Sequence, residues 1–147
     1  MLKVDNLRKG FGSGRRRLEV LKGINMEVQK GELVSLMGPS GCGKSTLLNI
    51  IGGLLQADSG NISLSSFNYG TKSPNRVVDV RRNGVGWIFQ DFHLVERLDA
   101  LDNVAFSLEL SGMPSSEAEQ RAKDALERVG LGDRMDFIPD QLSGGQQ

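Results

Sequence analysis

Gly38-Pro39-Ser40-Gly41-Cys42-Gly43-Lys44-Ser45 is the stretch whose reading decides the fold. It has the form G-x-x-x-x-G-K-[ST], the P-loop pattern. A nucleotide phosphate needs several backbone N–H groups aimed at it together, and only a loop with little side-chain bulk lets them approach. Gly38, Gly41 and Gly43 meet that need. Lys44 is placed to bring an ammonium to the β- and γ-phosphates and Ser45 a hydroxyl to Mg²⁺. The helix that follows, entered through Thr46, turns its positive end toward the phosphates. The flanks agree with this reading. Glu32-Leu33-Val34-Ser35-Leu36-Met37 suits a buried parallel strand, and Leu47, Ile50, Ile51, Leu54 and Leu55 recur on one helical face.

The totals narrow the class. A chain of 147 residues holds about one domain, and 38% hydrophobic with 24% charged residues is a globular balance. Eighteen basic residues match eighteen acidic ones, so the basic excess usual in nucleic-acid binders is absent. A single cysteine, Cys42, permits no internal disulfide, which suits a reducing compartment. The first residues do not read as a signal peptide. The longest apolar run, Leu47 to Leu55, is too short to cross a bilayer. The expectation is a protein that is soluble, or peripheral through a partner.

Outward from the P-loop, Met1 to Leu7 reads as an edge strand, and Gly10 to Arg17 as a flexible basic loop whose three arginines face solvent. Leu18 to Leu21 and Ile24 to Val28 read as two further strands, so the opening third looks antiparallel, laid against a parallel core. Asn61 to Leu64 is a short strand, Ser65 to Asn75 a surface loop, Val77 to Arg82 a short helix. Val85-Gly86-Trp87-Ile88-Phe89 reads as a strand stopping at Gln90. Beyond Asp91 the pattern is helical. Leu101, Val104, Ala105 and Leu108 share a face, and Gly112 and Pro114 end that helix. Ser116 with Glu119 forms a capping box for the next, lined by Ala118, Ala122, Ala125, Leu126 and Val129. Glu117–Arg121, Glu119–Lys123 and Asp124–Arg128 are i,i+4 pairs, and Gly130 is its C-cap.

Near its end the chain carries Leu142-Ser143-Gly144-Gly145-Gln146. A serine hydroxyl and glycine N–H groups at a helix start form a second phosphate grip. A P-loop, a strand ending in Gln90, a helical segment and then this pentapeptide resemble, over essentially the whole chain, the ATP-binding subunit of an ABC transporter. Val20-Leu21-Lys22-Gly23-Ile24, Ile51-Gly52-Gly53-Leu54 and Ile88-Phe89-Gln90-Asp91-Phe92-His93-Leu94 resemble the subfamily that powers lipoprotein release and macrolide export in bacteria. The resemblance implies an α/β fold: a P-loop NTPase (RecA-like) core over 1–90 with N-terminal antiparallel strands, and an α-helical subdomain over 91–147. It implies ATP and Mg²⁺ as cofactors, with Gly38 through Thr46 binding the nucleotide. Phe11 takes the aromatic position that stacks on adenine, where many members have Tyr. Gln90, with Ser45, helps hold Mg²⁺ and the attacking water. Ser143, Gly144, Gly145 and Gln146 contact ATP held by a second ATP-binding subunit in a head-to-tail dimer. The further partner is an integral membrane permease. The implied place is cytoplasmic, peripheral on the inner face of the cell membrane, with no direct insertion and no nucleic-acid partner. In the family the Mg²⁺-binding Asp, the catalytic Glu and a switch histidine follow the signature, so this polypeptide is expected to bind ATP without appreciable turnover. Lacking the C-terminal part of the core, it is also expected to expose apolar strand faces.

Plainer readings stand beside these. Phe11 can pack as a loop residue, Gln90 can close a strand end, and Cys42 can be a small filler within the phosphate loop. His93 reads as structural or partner-facing. For the whole chain the alternatives are a nucleotide-binding regulatory module without hydrolysis and an unrelated P-loop kinase or GTPase. A DNA-repair or chromosome ATPase is a third, although its two motifs are usually separated by much longer insertions.

Overall fold

A computed structural model describes residues 1–147, which form two compact units, Met1–Trp87 and Ile88–Gln147. The first is built on a four-stranded antiparallel sheet. Its strands are β1 (Leu2–Phe11), β2 (Leu18–Val28), β3 (Ser59–Leu64) and β4 (Phe67–Tyr69), in the order β2-β1-β3-β4. Val4, Leu7, Leu21 and Ile62 alternate onto one face and are buried there. Against them pack Leu47 and Ile50 of α1 (Lys44–Ile51) together with Val77 and Val80, the latter in α2 (Val78–Asn83). This contact fixes α1, and with it the glycine loop at its start, onto the sheet.

Several sequence expectations change here. β1 is not an edge strand: β2 pairs along one side and β3 along the other, with Val4 opposite both Met26 and Ile62. The two strands expected at 18–28 are one, because the Lys22-Gly23 interruption is absorbed as a register shift between Leu7/Ile24 and Arg8/Lys22. Gly10 and Phe11 belong to β1 rather than to a loop. The presumed surface loop 65–75 contains β4, since Phe67 and Tyr69 alternate opposite Leu64 and Ile62. Tyr69 is buried, its hydroxyl donates to the Ile51 carbonyl at the end of α1, and desolvation pushes its pKa up to about 12. The helix after the P-loop stops at Ile51, before Gly52-Gly53, so Leu54 and Leu55 do not extend it. The runs 32–37 and 85–89 join no sheet. Every pairing here is between antiparallel neighbours, and neither run has a strand alongside to supply ladder partners. Leu33, Met37 and Ile88 are accordingly 98%, 88% and 100% exposed.

The second unit is an antiparallel helix pair, α3 (Ala100–Leu110) and α4 (Ser115–Arg128). Ala105, Ala118 and Ala122 are buried between them, small enough to let the helices close. Ala100, Leu126 and Leu142 form a second cluster with Leu131, Met135 and Phe137 around it. Both helices end alike. In α4 the Leu131 N–H donates to the Leu126 carbonyl at 2.8 Å and the Gly130 N–H to the Glu127 carbonyl at 3.0 Å, with Gly130 at φ +77°. This is the Schellman arrangement. The expected capping box does not form: Pro114 starts α4, Ser116 lies within the helix, and Glu119 pairs with Lys123 at 2.6 Å. Glu117–Arg121 forms at 2.9 Å. Asp124 instead accepts from Gln120, and Ala125 and Val129 face solvent.

Candidate nucleotide-binding site

The P-loop wraps the start of α1. Gly38, Gly41 and Gly43 all have positive φ, at +155°, +79° and +100°. Gly43 has a second constraint, since a Cβ there would lie 2.9 Å from Cγ1 of Val20. The loop therefore needs glycine here both for its backbone and for its contact with β2. The first intrahelical bond runs from the Leu47 N–H to the Gly43 carbonyl at 2.9 Å. No side chain caps α1 and its first turn holds no acidic residue. The amides of Lys44, Ser45 and Thr46 thus keep the helix-end polarity that suits an anion.

A cavity of about 500 Å³ opens at this point, lined by Ser40, Gly41, Gly43, Lys44, Ser45, Thr46 and Val20. The Lys44 ammonium donates to the Gly38 carbonyl at 2.7 Å and the Pro39 carbonyl at 2.9 Å, and lies 3.7 Å from Cys42 Sγ. An ammonium has three donors, and here all three are taken up by the loop's own two carbonyls and the Cys42 sulfur. Val20 enters the sequence reading only within a family phrase and was not expected to line the site. It is the unmatched residue where the register steps from Lys9/Leu21 to Gly10/Glu19, and such bulges re-aim side chains next to sites. No composition signal marks it, because the register step exists only once the hairpin has formed. Phe11 is opposite Leu18, two residues and so about 7 Å along β2 from Val20. Phe11 is 45% exposed.

The remaining candidates belong to the second unit. Gln90 is exposed in a turn rather than at a strand end. Phe92 and His93 follow it with φ of +56° each, and the His93 ring meets that of Phe89 edge-on at 4.4 Å. Left-handed non-glycine backbone costs on the order of 1–3 kcal/mol per residue. In the signature, the Ser143 N–H donates to Gln146 Oε1 at 3.0 Å, while the Gln146 and Gln147 N–H groups donate to the Ser143 carbonyl at 2.8 and 3.1 Å. That is the hydrogen bonding of a helix's first turn. Buried Leu142 anchors it, and Ser143, Gly144 and Gly145 are exposed.

The family model for "ABC transporter" matches residues 21–147. The chain belongs to the ABC transporter family. This ABC transporter chain is 42% identical over 146 residues to the lipoprotein-releasing system ATP-binding protein LolD of Paramagnetospirillum magneticum, covering 99% of itself and 65% of LolD. It is 43% identical over 147 residues to the macrolide export ATP-binding/permease protein MacB 1 of Aeromonas hydrophila subsp. hydrophila, covering all of itself and 23% of that protein. Among solved structures it superposes, with TM-score 0.85 and 36% identity, on a dimeric post-hydrolysis state of the ATP-binding cassette MJ0796 bound to ADP and Pi. That match covers 99% of this chain and 65% of the cassette. The fold class is that of an ABC ATPase cassette, an α/β P-loop NTPase core. The chain therefore spans less than two thirds of these relatives' length. None of its helices is long and apolar enough to cross a membrane.

Proposed function

We propose that this chain is the nucleotide-gripping part of an ABC transporter ATPase, binding ATP with Mg²⁺ through its triphosphate. One observation carries the reading: the cavity at the start of α1 is walled by two glycines, a valine, a lysine and three hydroxyls, with no cap and no acid in the helix's first turn. Ser40, Gly41 and Gly43 give phosphate oxygens room to reach main-chain amides, and Lys44 supplies the charge. Ser45 offers one oxygen ligand, a fitting contribution for Mg²⁺, which binds through one or two protein oxygens plus phosphates and waters. When bound, the cation would neutralise phosphate charge.

Phe11 is assigned to stack on adenine. Gln90 is assigned to Mg²⁺ and water positioning, and Ser143, Gly144, Gly145 and Gln146 to ATP on a second such subunit in a head-to-tail dimer. The functional division falls at residue 90, between nucleotide-binding core and helical subdomain. The whole protein would hydrolyse ATP and drive a membrane permease from the cytoplasmic side. The cavity itself is lined by no carboxylate and no histidine, so within it the chemistry supported is binding, and activation of water needs groups from elsewhere. The test is calorimetry with Mg-ATP. Lys44→Ala should weaken binding roughly 10- to 100-fold, the worth of a charge-assisted hydrogen bond. Unchanged affinity in a folded variant would remove Lys44, and the cavity, from the reading.

A further inference from the structure

Asp58 precedes β3, far along the chain from the β1–β2 hairpin, yet both ends of that hairpin's loop converge on it. Its N–H donates to the Arg8 carbonyl at 2.9 Å. Its Oδ2 accepts from the Gly10 N–H at 2.7 Å and from Nη2 of Arg17 at 2.7 Å, and its Oδ1 from the Lys9 ammonium at 3.1 Å. Lys9 and Gly10 lie just before the last residue of β1, and Arg17 leads into β2, so one carboxylate closes the loop from both sides. Glycine at position 10 leaves room for this: a Cβ there would lie 2.8 Å from Arg17 Nε, and the guanidinium would have to shift. The Lys9 ammonium, held by Asp58, stands 5.6 Å from the centroid of the Phe11 ring, within cation–π reach. The Gly10 amide, then the two cations, hold the carboxyl below its ordinary pKa despite some desolvation.

From this geometry we infer that Asp58 is a positioning residue for the nucleobase. It fixes Phe11, through the Gly10 amide and the Lys9 ammonium, at the end of the hairpin that carries Val20. The inference rests on the assignment of Phe11 to the adenine. A ring presented in one pose stacks at less ordering cost than one on a loose loop. A mere staple of the hairpin would lower stability without caring which part of the nucleotide is bound.

The experiment compares two probes on the full protein, Mg-ATP and Mg-tripolyphosphate, which has the phosphates but no base. Phe11→Ala should weaken ATP by roughly 5-fold or more, the lower range for losing an aromatic stack, and leave tripolyphosphate unchanged. Asp58→Ala and the milder Asp58→Asn should weaken ATP by about 3- to 5-fold, again sparing tripolyphosphate. Asp58→Ala added to Phe11→Ala should cost nothing further, because both act through one ring. Equal weakening of both probes by the Asp58 variants, or full additivity in the double variant, overturns the inference while leaving Phe11 in place. If Phe11→Ala itself spares ATP, the adenine assignment fails and the inference with it. Arg17→Gln guards against a misfolded Asp58 variant: it releases one side of the clamp and should show the same selectivity in weaker form, and an Arg17→Gln loss shared by both probes counts against the clamp.

Discussion

Two helices of this chain begin in opposite ways. At α3, Asp99 accepts from the Asp102 N–H at 2.8 Å, and Asp102 adds an acid in the first turn. Asn103 then binds the preceding loop, donating to the carbonyls of Val95, Leu98 and Asp99 and accepting from the Val95 N–H. A side-chain cap and a first-turn acid are both present. At α1 neither is: the N-cap is Gly43, no side chain reaches back, and the only charge nearby is Lys44. A helix end left unsatisfied costs stability unless something else fills the role. The contrast teaches that α3 is finished by its own side chains, whereas α1 leaves its first amides to solvent or to the proposed anion.

The sharpest way to break the contrast is to give α1 what α3 has. Gly43→Asp puts a carboxylate at the mouth of the phosphate cavity, and should weaken ATP and tripolyphosphate alike by roughly 100-fold or more. Gly43→Ala is the control for sterics, since any side chain meets Val20 and an unfavourable φ. Calorimetry with circular dichroism of both variants reads the result. If the aspartate binds phosphate no worse than the alanine does, charge at this helix end is irrelevant and the contrast loses its meaning. The converse change, Asp99→Ala, should cost about 1 kcal/mol of unfolding free energy and leave ATP affinity untouched. A loss of affinity there would mean that α3's start belongs to the site.

How much of this was legible beforehand depends on where the information lies. The P-loop was, because its requirements are local: backbone freedom at three glycines and a lysine at a fixed offset. The apolar face of α3 was legible from the period of Leu101, Val104, Ala105 and Leu108, though not that α4 would cover it. The strands at 32–37 and 85–89 were not decided by their own apolar residues, since a strand also needs a neighbour's backbone, which no pattern within the run supplies. β4 was hidden because only two of its residues are apolar and the burial of Tyr69 comes from α1, eighteen residues away in sequence. Ser116 and Glu119 had the capping-box spacing, yet the helix starts at Ser115 with Pro114 as its N-cap, which leaves Ser116 inside the first turn. Val20 and Asp58 escaped for one reason: each owes its place to how β1 pairs, and a register is a property of two segments.

The smallest effect tests a third arrangement, in which a carboxylate serves neither as a cap nor as an absence. Asp58 is held below its usual 3.8 chiefly by the Gly10 N–H, helped by Lys9 and Arg17. A carboxyl whose folded pKa is depressed adds stability that is complete well above the unfolded value and is lost as pH falls through the folded one. Wild type should therefore exceed Asp58→Asn in unfolding free energy by a gap that is constant above about pH 5 and narrows on further acidification. The groups are partly solvated, so the gap should stay under about 1 kcal/mol and shrink with added salt. Denaturant titrations at several pH values read it. A gap that widens as pH falls would mean that the carboxyl is strained rather than gripped, and the hairpin would then owe its closure to the β1–β2 ladder alone.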